Sequence, residues 1–383
     1  MKDNRRDFIK KGASLATALS LGAVGASAST LKPGNAEAIP AKKVAWPVVE
    51  GPDTPKMTMN ISPTDVSSKL KAIKQFGCDY VHMSGPRLPW TVENIQPIVD
   101  KFKAAELTII NMMVGFNGNI IHGTEGRDAE IKLVQDALVV AGKVGIPVVE
   151  YNFYAHRLTE GYYNVPGRGG SSYLGFDYNR VNPTTGIAPK DLPPTEREPA
   201  MTRDQLWANI TYFLKAVIPV AEKAGVVMAL HPNDPPPPIS RGSEQIMGSF
   251  ADWKKMLAIV DSPSNGMTFD CGVSTELGED AIVVLKYMAE RKRINHVHYR
   301  NVLLDTPRMK YVEVFIDNGQ VNMFAIMQEL VKHNYKYGIF AEHPRGNAID
   351  KERGGDFISY LYNQAYARAM LQACLTLEQG YKG

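Results

Sequence analysis

A (β/α)8 barrel is the fold class that the sequence predicts, and three observations predict it. Across residues 56–383 short apolar runs alternate with amphipathic stretches, the mark of strand–helix repetition. Eight such runs occur, each but the last followed by room for a helix. The competing open, doubly wound sheet lacks its marks, because no G-x-G-x-x-G follows the first strand and no P-loop is present.

The elements follow in order. The first strand is expected at Met57–Ile61. Ser62 and Pro63 then suit a helix start, a capping hydroxyl before a proline at the first helical position. Strands two to four are expected at Asp79–Met83, Thr108–Val114 and Pro147–Asn152. Residues 157–201 break the rhythm with the glycine-rich run Gly167–Gly170, several prolines and many Tyr and Asn. A βα loop of that length lies on the catalytic face of a barrel as a lid or rim. Thr202 and Gln205 form a capping box. Leu206, Ile210, Phe213, Leu214, Val217, Ile218 and Ala221 then recur at helical spacing as one buried face. Strands five to eight are expected at Val227–His231, Met267–Cys271, Ile294–His298 and Tyr337–His343. Met323, Phe324, Met327, Leu330 and Val331 mark the helix before strand eight, and a last helix runs over about Phe357–Leu375.

Ahead of this single domain stands an address. The segment Asn4–Lys11 carries a twin arginine, a phenylalanine and two lysines. An uncharged stretch follows to Ala28, and Ala26-Ser27-Ala28 is a small-residue cleavage site. Residues 1–28 therefore read as a Tat-type export signal to the periplasm, diluted by Gly, Ser and Thr below what a membrane span needs. Residues 29–55 read as a linker or arm. The chain of 383 residues has a formal net charge of +3. That excess lies in the first eleven residues, where Lys2, Arg5, Arg6, Lys10 and Lys11 face only Asp3 and Asp7. The body is neutral and gives no electrostatic reason to bind nucleic acid. Three cysteines are too few for a disulfide scaffold. Cys78 and Cys374 read as small buried hydrophobes.

Active sites of such barrels lie where strands end. His231 closes strand five, Cys271 strand six, His298 strand seven, and Glu342 with His343 strand eight. Four successive strands thus bring imidazole, thiolate, imidazole and carboxylate to one rim, the donor set of a divalent transition metal such as Mn²⁺ or Fe²⁺. One member of the Glu342–His343 pair binds the metal while the other points elsewhere. An imidazole there suits general acid–base work. By alternation His296 is a deeper histidine on the same face as His298. Arg300 either holds an anionic substrate group or forms a salt bridge. Asp234 either orients a ligand histidine or caps a turn. Tyr151 and Asn152 end strand four within reach of sugar hydroxyls, and Trp90 suits stacking on a sugar or packing in the core.

Several blocks resemble the mannonate dehydratase family of xylose-isomerase-like, metal-dependent barrels. They are Gly126–Asp128, Val149–Phe153, Val217–Gly225, Met228–Pro236, Val297–Val302 and Gly319–Met323. The most specific are His231-Pro-Asn-Asp-Pro-Pro and Val297-His-Tyr-Arg-Asn. The resemblance implies metal ligands at His231, Cys271, His298 and Glu342 and an acid/base at His343. It also implies a sugar-acid substrate and loss of water to a 2-keto-3-deoxy acid. Arg241 stands in for an arginine that the family places after its proline loop. The departures are Glu342 where the family has Asp, the missing Trp-Arg-Trp start, and no clear counterpart of a tyrosine near the last helix, where Tyr360 and Tyr362 lie. These leave sugar isomerisation or epimerisation as the alternative reaction and a non-catalytic sugar-binding protein as a third reading. The sequence leaves room for a homo-oligomer.

Overall fold

A computed structural model describes residues 50–116 and 118–378. The export signal expected over residues 1–28 and most of the arm lie outside the described residues. Eight parallel strands close a barrel: β1 (Lys56–Asn60), β2 (Tyr80–Ser84), β3 (Thr108–Met113), β4 (Val148–Asn152), β7 (Val227–His231), β10 (Asn265–Asp270), β11 (Ile294–His298) and β14 (Gly338–Phe340). Thr58 of β1 pairs with Tyr80 on one side and Phe340 on the other, which closes the ring. The predicted (β/α)8 class is therefore the observed one.

The outer layer is built from α1 (Ser67–Gln75), α2 (Val92–Ala104), α3 (Gly118–His122), α4 (Arg127–Val144), α5 (Arg203–Ala224), α6 (Phe250–Leu257), α7 (Cys271–Glu276), α8 (Ala281–Glu290), α9 (Met323–Lys332), α10 (Ala348–Arg353) and α11 (Phe357–Glu378). The Thr202–Gln205 capping box forms as expected and starts α5, and the seven apolar residues named for that helix are all buried. Phe213 anchors this face, its ring centroid 5.6 Å from Tyr151 and 6.2 Å from Phe153. Gly142 lets α4 approach the end of α5, since a Cβ there would lie 2.3 Å from the Ala224 carbonyl oxygen.

Three element boundaries differ from expectation, each for a local reason. No helix starts at Ser62-Pro63. The Ser62 N–H donates to Asp65 Oδ2 and the Asp65 N–H to the Ser62 carbonyl, so these residues form a turn before α1. Strand β10 stops at Asp270, whose Oδ1 accepts from the Val273 N–H and caps α7, so Cys271 is the first residue of a helix. Strand β14 stops at Phe340, and Glu342 and His343 stand on the loop beyond it.

The long segment after β4 is ordered rather than a plain loop. It contributes β5 (Tyr162–Pro166) and β6 (Ser172–Asp177), and the segment after β11 contributes β12 (Asn301–Thr306) and β13 (Lys310–Val314). These four pair antiparallel in the order β12-β13-β6-β5 around a small core of Leu158, Phe176, Tyr178 and Tyr311. A hairpin of β8 (Ile239–Ser240) and β9 (Ser243–Glu244) follows the proline loop. Among the described residues no helix is long and apolar enough to cross a membrane.

Truncating the residue that joins β4 to α5 tests this packing. Phe213→Ala is expected to lower the unfolding free energy by about 3–5 kcal/mol, read as a lower urea midpoint at unchanged m-value.

Candidate metal centre and active site

The rim of the barrel gathers four side chains of ligand type. His231, Asp270 and His298 end β7, β10 and β11, and Glu342 follows β14. All are nine-tenths or more buried, and one donor atom from each lies within 4.8 Å of all the others. His231 Nε2 is 3.0 Å from His298 Nδ1 and 3.9 Å from Asp270 Oδ2, and His298 Nδ1 is 2.9 Å from Glu342 Oε1. His231 Nδ1 is turned the other way, 2.6 Å from the Pro232 carbonyl, which leaves Nε2 for the centre. Burial, with the His231 ring beside it, holds the His298 pKa well below its usual value, so its imidazole is neutral as a ligand must be.

Cys271 was expected in this set, and the structure does not bring it in. It is fully buried at the start of α7, and burial with the neighbouring Asp270 pushes its thiol pKa well up. Asp270, one residue earlier, stands among the donors because the strand ends there.

Arg300 was expected to face an anionic substrate. Instead it is 1% exposed and is engaged by carboxylates of the protein itself. Its Nε lies 3.0 Å from Asp270 Oδ2 and 3.2 Å from Glu342 Oε1. Its Nη1 is 2.7 Å from Glu276 Oε1, and its Nη2 is 3.2 Å from Asp234 Oδ2. The residue therefore orients carboxylates from beneath the rim and does not line the cavity. Asp234, buried itself, is held in the charged form because Arg300, His343 and Arg157 outweigh its desolvation.

A cavity of about 230 Å³ opens over these groups. His231, His298, Glu342 and His343 line it, as do Asn152, Glu150 and Arg157. Asn152 is thus where strand alternation placed it. Tyr151, by the same alternation, is not: it is fully buried on the outer side of the barrel against Phe213 and cannot touch a ligand. Arg241 is also elsewhere. Its Nη2 is 2.7 Å from Glu160 Oε1 and its Nε 3.2 Å from His156, so it ties the hairpin to the long segment. Among the described residues Arg157 is the arginine that lines the cavity. It comes from the start of that same segment, and its Nε donates to the Asp234 carbonyl at 2.8 Å. Trp90 is packed in the core with its Nε1 donating to Pro86.

His343 faces the cavity with a left-handed backbone, φ 46°. Its Nδ1 is 2.9 Å from Glu313 Oε2, and its Nε2 is 3.5 Å from Glu342 Oε2. Burial works to lower its pKa, but Glu313 and Glu342 outweigh it and hold the imidazole above its usual value. Asp234, Glu313 and His343 also lie close enough to hold an ion, but Arg157, Arg300 and Arg345 already neutralise that group. Deeper in the barrel, His296 is fully buried as expected, and neither of its ring nitrogens has a hydrogen-bond partner. Glu150 beside it accepts from Thr268 and Asn111, and burial raises its pKa. All three cysteines are free and buried.

Residues 56–379 match the family model described as D-mannonate dehydratase (UxuA). The chain belongs to the D-mannonate dehydratase family. A mannonate dehydratase of Streptococcus equi subsp. zooepidemicus is 31% identical over 274 residues, covering 67% of this chain and 75% of the relative. That of Enterococcus faecalis is 31% identical over 321 residues, 73% and 87% of the two chains. The crystal structure of mannonate dehydratase from Streptococcus suis serotype 2 superposes with a TM-score of 0.75 at 26% identity, over 85% of this chain and 96% of that one. A xylose isomerase domain protein from Planctomyces limnophilus shares the barrel alone, with a TM-score of 0.54 at 14% identity over 85% and 98% of the two chains. The protein is an enzyme, a hydro-lyase that dehydrates a sugar acid, and its family is metal-dependent.

The donors fit such an ion. Two imidazoles and two carboxylates converge in a buried pocket, and Glu342 Oε1 makes no hydrogen bond although it is fully enclosed. Competition between the two neighbours at the end of β10 is open to measurement. Asp270→Asn is expected to lower metal affinity about 10- to 100-fold, with Cys271→Ser changing it less. Titration of metal-free protein with Mn²⁺ checks this, and the opposite order hands the position to the thiolate.

Proposed function

We propose that this protein dehydrates D-mannonate to 2-dehydro-3-deoxy-D-gluconate, using Mn²⁺ or Fe²⁺ held by His231, His298, Glu342 and the end of β10. The observation that carries the reading is the convergence of these donors with His343 and Arg157 on one cavity, in a chain of this family. The bound cation supplies Lewis-acid stabilisation of the negative charge that builds on the acid when its C2 proton leaves.

The chain's own residues do the rest. Arg157 pairs with the substrate carboxylate, because its guanidinium is half exposed while that of Arg300 is buried and engaged. Asn152, at the end of β4, hydrogen-bonds a hydroxyl. His343 carries a proton between the substrate and Nε2, the nitrogen turned away from Glu313. Overall the proton on C2 and the hydroxyl on C3 leave as water, and the resulting enol becomes the 2-keto group. The twin arginine of residues 1–28 supports export of the folded enzyme to the periplasm.

Protein lacking residues 1–28, supplied with Mn²⁺ or Fe²⁺ and a panel of aldonates, should give a 2-keto product lighter by one water. Chelation should abolish it. A product of unchanged mass, or no turnover on any aldonate, overturns the reading. Arg157→Gln is expected to raise KM at least about tenfold with a smaller change in kcat, the pattern of a lost binding contact. Replacing Arg5 and Arg6 together by Lys is expected to leave the full-length chain inside the cell, checked by fractionation.

A further inference from the structure

The strand β13 lies outside the barrel, in the antiparallel sheet above it, yet it sends a carboxylate down to the reaction site. Glu313 is 1% exposed, which is costly for an acid unless cations answer it. Two do so at equal distance. Its Oε2 lies 2.9 Å from His343 Nδ1 and 2.9 Å from Arg345 Nη2. Neither Glu313 oxygen has a hydrogen-bond partner, nor does His343 Nδ1, so this charge contact is what engages both groups.

The surroundings show that the contact is built. Arg345 Nε donates to the His343 carbonyl at 2.8 Å, so one guanidinium grips both the carboxylate and the backbone of the histidine. Asn363 Nδ2 donates to the Glu342 carbonyl at 2.9 Å and fixes the preceding peptide. The left-handed φ of His343, which a non-glycine residue adopts at some cost, points to a side chain held in place by such contacts. Tyr311, two residues before Glu313 and on the same face of β13, is also buried, and its hydroxyl lies 3.3 Å from Asp234 Oδ1.

We propose that Glu313 is the positioning residue of His343: it keeps a proton on Nδ1 and fixes the ring plane, so that Nε2 is the nitrogen that exchanges a proton with substrate. A carboxylate behind an imidazole sets its tautomer and orientation without itself losing or gaining the proton. This rests on the role given to His343 under Proposed function, but the placement of the proton is a property of the protein alone.

Two measurements test it. In NMR of histidine ring nitrogens on the Zn²⁺-loaded enzyme, the His343 signals are identified by their loss in His343→Gln. They are expected to show the neutral ring protonated at Nδ1, with that preference lost in Glu313→Ala. Unchanged His343 signals in Glu313→Ala overturn the proposal whatever the substrate proves to be. In kinetics, Glu313→Gln is expected to lower kcat at least about tenfold, part of the roughly 10²–10⁴ that acid–base catalysis supplies, with KM and bound metal unchanged. Glu313→Asp should recover part of the loss, and in the His343→Gln background Glu313→Gln should cost nothing further. Full additivity of the two losses, or equal loss in Glu313→Asp, assigns Glu313 a structural role only and overturns the proposal. If wild-type protein turns over no aldonate, the functional reading fails, and the NMR result still decides the position of the proton.

Discussion

A single buried guanidinium sets the geometry of this rim. Arg300 meets Asp270, Glu276, Asp234 and Glu342 at 3.2 Å or less, and Glu313 at 3.9 Å. One positive charge cannot balance so many acids. Glu276 answers partly by burial, which raises its pKa well above the usual value and keeps it protonated. Asp270 Oδ2 and Glu342 Oε1 share the Nε of Arg300, and these same side chains belong to the donor group of the centre. Their remaining affinity for positive charge is directed toward the two imidazoles. Arg300 thus places the carboxylates, and a cation completes the charge balance.

Much of the barrel was legible because a buried parallel strand is a short apolar run, and eight of them recur. Two runs, Val227–His231 and Ile294–His298, match the observed strands to the residue, and the donors His231 and His298 end them. The legible part of the site is the part encoded locally, at strand ends. The end of β10 was read one residue too far. The Asp270 carboxylate caps α7, and that competing local interaction ends the strand before Cys271. Tyr151 shows the limit of adjacency: a strand turns successive side chains to opposite faces, so the neighbour of a cavity residue is a core residue.

The residues missed are those that arrive from afar. Arg157 belongs to the long segment after β4, and Glu313 to the segment after β11. No period relates either to the strand ends. Their placement depends on pairing β13 with β6, in which Glu313 stands opposite Leu174. The signal available was only that residues 157–201 were too long for a plain connection. Arg241, chosen by its position after the proline loop, is instead part of a cluster with Glu160 and His156 that ties the hairpin to the long segment.

The sheet above the barrel is made of two halves separated in the chain by more than a hundred residues, and neither hairpin has another partner sheet. An isolated two-stranded hairpin is marginal in water. The halves therefore depend on each other, and their contact closes one of the longest loops in the molecule, an entropic cost met only once the barrel strands between them are in place. The order of assembly follows: scaffold first, roof last, so that a chain caught before completion carries its histidines at the rim but not the acid that steadies them.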